Sequence, residues 1–328
     1  MRVVVTKRLF QDVAPYREVV ESAGGELVYA DCSTEADAVE ACAGADVVVG
    51  GFVPITERVM DAAGDLQLVL VPTAGYDSVD LAAATERGVP VSNVPEYAPR
   101  DIASHAFALA LAAAHDIVRT HRDLRDGPGW ERTPLYPIHG ETLGVVGLGR
   151  IGRELVPMAE GLDMDVLAYD PYLHSDVFEL VGAEQVGFDE LLDRAACLSV
   201  HAQLTDVTYH LFSTPEFERM RDDAVLVNTA RGPIVDETAL VAALDDGELR
   251  AAALDVFETE PPDDSPVLDH DRVVCSPHRG AASRRARENM IAESRAELRR
   301  VLTGEPLENV VNRAVFQYTG EQVTAGGE

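Results

Sequence analysis

Residues 141 to 170 place the strongest constraint on the fold of this chain. An apolar run at 143–146 predicts a buried parallel strand, and a glycine-rich turn leads from it into a helical pattern at 151–162. A second apolar run, at 164–169, ends in Asp170. Because strand, glycine turn, helix, strand and terminal acid come in this order, the stretch predicts a βαβ unit that binds a dinucleotide.

The turn reads GLGRIG at 147–152. Gly147 permits a tight turn, Gly149 lets the backbone approach a pyrophosphate, and Gly152 lets helix and strand pack closely. Unpaired N–H groups at the start of the helix then face the pyrophosphate. Asp170 is expected to accept hydrogen bonds from both ribose hydroxyls and to repel a 2′-phosphate, which predicts NAD in preference to NADP. The alternative is an ordinary βαβ turn that happens to contain glycines.

Short β-branched runs alternate with helical patterns along the rest of the chain. Further strands are predicted at 3–5, 27–29, 47–49, 68–71, 89–91, 198–202, 224–228, 251–254 and 272–275, and further helices at 15–23, 35–43, 56–63, 79–87, 101–122 and 283–302. This alternation predicts parallel sheets covered by helices on both faces. Prolines at 93–100 indicate a crossing between domains, so we expect a nucleotide-binding domain at 101–283 inserted into a domain formed by 1–100 and 284–328. A cleft between them would hold the substrate.

Polar side chains follow three of the predicted strands. Arg231 follows 224–228, Asp255 and Glu260 follow 251–254, and His278 follows 272–275. The carboxyl ends of parallel strands share one edge of a sheet, so we expect these side chains to converge beside the nicotinamide.

This set suits the reduction of a 2-keto acid. A bidentate guanidinium, Arg231, holds the carboxylate, and His278 donates a proton to the carbonyl oxygen or acts as general base in reverse. Glu260 fixes the imidazole tautomer and favours its protonated form, and Asp255 could accept a hydrogen bond from the nicotinamide carboxamide. Glu260 as a surface acid and His278 as a helix cap are the alternatives. The other histidines show no metal-ligand spacing, so no metal is expected; His105 could border the cleft.

Acidic residues outnumber basic ones 57 to 27, which gives a net charge of −30 and makes nucleic acid and anionic membranes unexpected partners. Lys7 is the only lysine, and the composition resembles that of proteins from salt-accumulating halophilic archaea. Our hypothesis is a high-salt cytoplasm; an Arg-rich protein of a GC-rich bacterium is the alternative. At about 1 M salt the Debye length is ~3 Å, which weakens repulsion of a 2′-phosphate by Asp170 and leaves NADP use open.

We expect no signal peptide, because Met1 and Arg2 lead directly into a predicted strand. Its longest apolar stretch, 106–114, is too short to span a bilayer. Cys197 and Cys275 lie in runs predicted to be core strands, where free cysteine acts as a small hydrophobe. We therefore expect a soluble, reduced, cytoplasmic protein.

These motifs together resemble the D-isomer-specific 2-hydroxyacid dehydrogenase family. The similarity is carried by GLGRIG at 147–152, YDP at 169–171, VNTARGPIVDETAL at 227–240, ALDVFETEPP at 253–262 and SPH at 276–278, and more weakly by 73–81, 88–109 and 304–312. It implies a Rossmann domain inserted into a flavodoxin-like substrate domain, a homodimer formed through the Rossmann domain, and a small 2-keto or D-2-hydroxy acid substrate.

The resemblance also implies a set of site residues. It assigns catalysis to Arg231, Glu260 and His278, cofactor binding to Gly147, Gly149, Arg150, Ile151, Gly152, Asp170, Thr229, Ala230 and Asp255, and substrate binding to Ala74, Gly75, Arg231 and His278.

Two positions depart from the family pattern. Gln203 stands where the family usually has proline beside the adenine, and Arg279 follows the histidine where a small or apolar residue is typical. Glu260 argues against a formate dehydrogenase, which has glutamine there. A 3-phosphoglycerate dehydrogenase with a regulatory extension is disfavoured, because the chain ends soon after Asn312. The alternative function is an NAD-sensing regulator like the C-terminal-binding-protein corepressors, which share this fold.

Overall fold

The computed structural model describes residues 1–6, 13–127, 129–130 and 135–316. It divides into two compact units, one formed by Met1–Ala98 with Arg284–Glu328 and the other by Pro99–Ser283. Of the C-terminal segment expected in the first domain, residues 317–328 lie outside the described part of the chain.

The first unit contains a parallel sheet whose strand order, within the described residues, is β2-β1-β3-β4-β5. Its strands are β1 (Arg2–Val5), β2 (Glu26–Tyr29), β3 (Val47–Val49), β4 (Leu68–Leu70) and β5 (Val91–Ser92), and its first helices are α1 (Ala14–Ser22), α2 (Glu35–Ala41), α3 (Glu57–Ala63) and α4 (Leu81–Glu86). Val3 and Val47 pack into one core cluster while their neighbours Val4 and Val48 pack into another, so both faces of the sheet are covered. The strand order is that of flavodoxin-like sheets.

The second unit contains a parallel sheet with the order β12-β11-β10-β9-β6-β7-β8 among its described residues. Its strands are β6 (Thr142–Val146), β7 (Asp165–Tyr169), β8 (Glu184–Gln185), β9 (Cys197–Val200), β10 (Val225–Asn228), β11 (Ala251–Leu254) and β12 (Val273–Cys275). Its helices are α5 (Pro99–Ala114), α6 (Ile117–Asp126), α7 (Arg150–Glu160), α8 (Ser175–Val181), α9 (Phe188–Arg194), α10 (Thr214–Arg219) and α11 (Glu237–Asp246), with a 3-10 turn at Gly232–Ile234; α12 (Arg284–Thr303) then belongs to the first unit. This is the Rossmann order with one further strand.

The predicted fold class is confirmed, since every pairing inside the two sheets is parallel in the described part of the chain. The interior strands β9, β10 and β11 are buried along their whole length. Helices cover both faces of such sheets, which is why these strands are near-continuous apolar runs rather than alternating ones. Strand β8 was not predicted, because its two residues are polar and exposed.

The single helix predicted at 101–122 is wrong. The chain forms two helices, α5 and α6, which meet at an angle of 56°. Asp116 between them is in the left-handed conformation with φ 51°, which ends the hydrogen-bond ladder of the first helix. In the described residues no single helix is long and apolar enough to cross a membrane, although this bent pair passes that test jointly on length and composition.

The expectation that Cys275 is a core residue is also wrong, whereas Cys197 is buried as expected. Cys197 lies in the central strand β9, and Cys275 ends β12, the outermost strand of the sheet. An edge strand has a neighbour on one side only, so an apolar run there need not be buried.

Candidate active site

The glycine turn joins β6 to α7 and is shaped by close backbone contacts. Gly147 has φ 91°, and a Cβ there would lie 2.8 Å from the backbone nitrogen of Ala202. A Cβ at Gly152 would lie 2.3 Å from the carbonyl oxygen of Gly147. At Gly149, by contrast, no described atom lies within 4 Å of the Cβ position, and Gly149 precedes the first residue of α7 without a side-chain cap. The turn therefore leaves open space at the start of a helix, where the pyrophosphate of a dinucleotide fits.

Asp170 follows β7 and is tied to the same turn. Its Oδ2 accepts a hydrogen bond from the backbone N–H of Leu148 at 3.0 Å, and its Oδ1 accepts one from Tyr172 at 3.0 Å. The residue is half-buried, and Arg150 at the start of α7 is exposed. A carboxylate held beside the glycine turn has the acceptors that the ribose hydroxyls of NAD require, and this role of Asp170 stays a prediction.

Asn228 shapes the loop that carries Arg231. It ends β10 and is fully buried, its Oδ1 accepts from the N–H of Ala230 at 3.0 Å, and its Nδ2 donates to the carbonyl oxygen of Arg231 at 2.9 Å. The hydroxyl of Thr229 is buried without a hydrogen-bond partner among the described residues. This orphaned hydroxyl beside Ala230 is suited to a ligand, and both residues are predicted cofactor contacts.

A second close contact joins this loop to the segment that follows β11. A Cβ placed on Gly232 would lie 1.9 Å from the backbone carbon and oxygen of Phe257 and 2.5 Å from the backbone nitrogen of Glu258. The two loops therefore touch directly after Arg231 in one loop and shortly before Glu260 in the other. Only glycine fits at 232.

Glu260 and His278 are in direct contact. Glu260 Oε2 lies 2.7 Å from His278 Nδ1, and its Oε1 accepts from the backbone N–H of Phe257 at 3.2 Å. Burial raises the pKa of the Glu260 carboxyl, but the hydrogen bond and charge of His278, the N–H of Phe257 and the charge of Arg231 together lower that pKa below its ordinary value. The carboxylate is therefore ionised at neutral pH and only accepts hydrogen bonds, which requires Nδ1 of His278 to carry a hydrogen.

Asp255 is hydrogen-bonded to the turn that carries His278. It is 1% exposed, and its carboxylate accepts from the hydroxyl of Ser276 and from the N–H groups of Arg279 and Gly280. His105 also reaches it from α5, with Nε2 3.2 Å from Oδ1. The predicted bond to a nicotinamide carboxamide would have to share an acceptor that these four groups already occupy.

The remaining predicted site residues lie in different places. Ala74 and Gly75 belong to the first unit, in a loop after β4 where Asn93 Nδ2 donates to the Ala74 carbonyl oxygen at 2.7 Å. Gln203 follows β9, and its carbonyl oxygen accepts from Thr208 Oγ1 at 2.6 Å. Arg279 is exposed.

Sequence reasoning missed three residues that shape this site: Asn228, Gly232 and Ser276. Each stood inside a quoted motif. Gly232 and Ser276 contact residues outside their own motifs, whereas Asn228 contacts Ala230 and Arg231 within its motif. His105 was named only for its place near the predicted crossing. A polar residue on the Ala- and Leu-rich helix α5 was the available signal.

Comparisons with known proteins agree with this geometry. Residues 107–280 match the family model described as D-isomer specific 2-hydroxyacid dehydrogenase, NAD binding domain. The chain is 38% identical over 319 residues to a D-3-phosphoglycerate dehydrogenase of Methanocaldococcus jannaschii, a match that covers 95% of this chain and 59% of that protein. This chain thus spans less than two thirds of the length of that relative.

In two further comparisons, the match covers a larger share of the other protein. A glyoxylate reductase of Korarchaeum cryptofilum is 39% identical over 273 residues, 80% of this chain and 81% of that protein. The crystal structure of a glyoxylate reductase from Paecilomyes thermophila superimposes with a TM-score of 0.87 at 27% identity, over 95% of this chain and 99% of that one. The chain therefore belongs to the D-isomer specific 2-hydroxyacid dehydrogenase family, and residues 107–280 form its NAD binding domain.

Proposed function

We propose that this protein is an NAD-linked D-2-hydroxyacid dehydrogenase that interconverts a small 2-keto acid and the D-2-hydroxy acid. The observation that carries the proposal is the 2.7 Å contact between His278 Nδ1 and Glu260 Oε2. Arg231 supports it, because its charge acts on the same carboxylate and because its loop touches the loop of Glu260 through Gly232. The relatives named above are enzymes, and nothing in the comparisons supports the regulatory alternative.

Glu260 determines which nitrogen of His278 does chemistry. Since Nδ1 donates to Glu260, Nε2 is the nitrogen that exchanges a proton with the substrate. In the reducing direction Nε2 donates its proton to the carbonyl oxygen, which becomes the hydroxyl; in the oxidising direction Nε2 takes that proton back. The ionised Glu260 stabilises the imidazolium and keeps the ring oriented.

Arg231 holds the substrate carboxylate. Its planar guanidinium offers parallel N–H donors to both carboxylate oxygens, which sets the orientation of the keto group as well as its position. Substrate binding by the backbone N–H groups of Ala74 and Gly75 stays a prediction from the family resemblance. NADH, when bound, supplies the hydride that adds to the keto carbon.

We further propose a homodimer formed through the nucleotide-binding unit. Helix α6 supports this, because none of its residues, all of which are described, is buried. Its apolar side chains Ile117, Val118 and Leu124 are exposed, as are Trp130 and Leu135, which follow it in the sequence. Exposed apolar groups in such number favour an interface. Light scattering should give twice the chain mass of 35.4 kDa, and a monomer would refute the proposal.

The proposed location is a high-salt cytoplasm. The net charge of −30 with a single lysine supports high salt, and the free cysteines Cys32, Cys42, Cys197 and Cys275 support a reducing compartment. About 1 M KCl should raise the midpoint of thermal unfolding well above its value in dilute buffer, because salt screens self-repulsion. Equal midpoints would contradict this proposal.

The test of function is steady-state oxidation of NADH with glyoxylate, pyruvate, hydroxypyruvate and 2-ketoisocaproate in about 1 M KCl. We expect turnover with at least one keto acid and a product of D configuration. His278→Ala should lower kcat by ~10²–10⁴ while NADH affinity stays nearly unchanged. Absence of turnover across the panel would refute the proposed function, and an unchanged kcat would remove His278 from the mechanism.

A further inference from the structure

The turn that carries His278 is held to Asp255 by three backbone hydrogen bonds. The N–H of His278 donates to the carbonyl oxygen of Asp255 at 2.7 Å. The N–H groups of Arg279 and Gly280 donate to its carboxylate at 2.9 and 2.7 Å. His278 itself has φ 45°, a conformation that costs energy in a non-glycine residue and persists only when its surroundings impose it.

Two side chains complete this arrangement. Ser276 Oγ donates to Asp255 Oδ1 at 2.5 Å. His105 Nε2 lies 2.9 Å from Ser276 Oγ and 3.2 Å from Asp255 Oδ1. Since the serine hydrogen points to Asp255, Nε2 of His105 must carry a hydrogen of its own, which both oxygens share. We call His105, Asp255 and Ser276 the Asp255 anchor.

The burial of the Asp255 carboxylate explains why a hydrogen-bond donor such as His105 is required beside it. The Asp255 side chain is 2% exposed, and a buried carboxylate is stable only when its oxygens are well supplied with donors. His105 belongs to α5, which packs against β10, β11 and β12. It therefore approaches Asp255 from the face of the sheet that α5 covers. A Cβ on Gly280 would lie 3.2 Å from Asp255 Oδ2 and 3.6 Å from His105 Cδ2, which leaves little room for the turn to move.

We propose that His105 is a positioning residue for His278. It acts through Asp255 and Ser276 to hold the turn at 276–280, and this keeps the His278 imidazole aligned with Glu260. The inference rests on the proposed function, because it assigns His105 a part in the same proton transfer. It does not require His105 to touch substrate or cofactor.

The test compares His105→Leu, which removes the hydrogen bonds, with His105→Gln, which keeps an N–H donor at similar reach. We expect the leucine variant to lower kcat about 10- to 10²-fold, with KM for the keto acid and NADH affinity within about 2-fold, because only alignment is lost. The glutamine variant should restore kcat to within about 3-fold of wild type. His115→Leu, beyond the end of the same helix, is the matched control and should leave kcat unchanged.

A second measurement does not depend on activity. Amide hydrogen exchange at Arg279 and Gly280 should be about 10-fold faster in His105→Leu and in Ser276→Ala, while exchange in β6 and β7 stays as in wild type. Ser276→Ala provides the same readout if the leucine variant does not fold.

Three results would overturn the inference. They are wild-type kcat in His105→Leu, a glutamine variant as slow as the leucine variant, and unchanged exchange at the turn. A wild-type protein without reductase activity would instead refute the proposed function, and the exchange measurement would still decide whether the anchor holds the turn.

Discussion

Replacing Gly232 by alanine should separate the two loops that carry Arg231 and Glu260. The added Cβ would lie 1.9 Å from the backbone carbon and oxygen of Phe257, where ordinary contacts begin near 3.4 Å. The loops must therefore move apart by about 1.5 Å, the difference between these distances. The obstructing atoms are backbone atoms on a segment that follows a buried strand, so no side-chain rotation can relieve the clash.

The expected cost falls mainly on catalysis. Arg231 immediately precedes the substituted position, and Glu260 follows the obstructed segment by two residues. A misplacement of about 1 Å can cost about 10²-fold in rate, so kcat/KM for the keto acid should fall at least that far. Overpacking should also destabilise the protein by about 1–3 kcal/mol. The glycine turn at 147–152 is separate in the sequence, so its contacts to the pyrophosphate should be kept. Thr229 and Ala230, the predicted cofactor contacts, lie in the loop that moves, so NADH affinity should fall as well, but by less than kcat/KM for the keto acid.

The assay is steady-state reduction of the best keto acid, with NADH affinity and unfolding by urea measured on the same preparations. Gly187→Ala is the matched control, because Gly187 has φ −71° and no described atom lies within 4 Å of its Cβ position. The control should keep kcat/KM within about 2-fold of wild type. If a folded Gly232→Ala protein keeps kcat/KM within about 3-fold of wild type, the two loops do not set each other's position.

Three further outcomes are expected. Arg231→Lys keeps the charge but loses the planar fork, so kcat/KM should fall about 10- to 10²-fold in steady-state assays, and an unchanged value would exclude bidentate binding. Asp170→Ala should raise the kcat/KM ratio of NADPH to NADH about 10-fold in dilute buffer and by less in about 1 M KCl, and an unaltered ratio would contradict the ribose role. Because the pKa of Glu260 is lowered in the folded state, its charge stabilises the fold fully above about pH 5, and this contribution disappears as the pH falls through the lowered pKa. The free energy of unfolding of Glu260→Gln, measured with urea, should therefore be lower than that of wild type at neutral pH and should converge with it in acid. A difference that does not depend on pH would refute this account.

The amino-acid sequence by itself determined the nucleotide-binding unit, because its signals are local. Residues 141–170 contain the strand, the glycine turn, the helix and Asp170 in one continuous stretch. Hydrophobic periodicity and turn-forming residues act over short stretches, so they can be recognised without knowing which distant residues contact them. The same holds for Arg231, Glu260 and His278, since each comes just after a strand and parallel strands end at one edge of a sheet.

Only the tertiary structure decided the contacts between distant residues that no motif predicts. His105 contacts Asp255 across 150 positions, and Gly232 is obligatory because of a backbone that approaches it from the segment after β11. The break between α5 and α6 at Asp116 and the exposure of Cys275 likewise depend on the surrounding structure. No local sequence pattern predicts either of them. A sequence motif records the residues a site needs, whereas packing between distant segments sets their distances, and proton transfer depends on those distances.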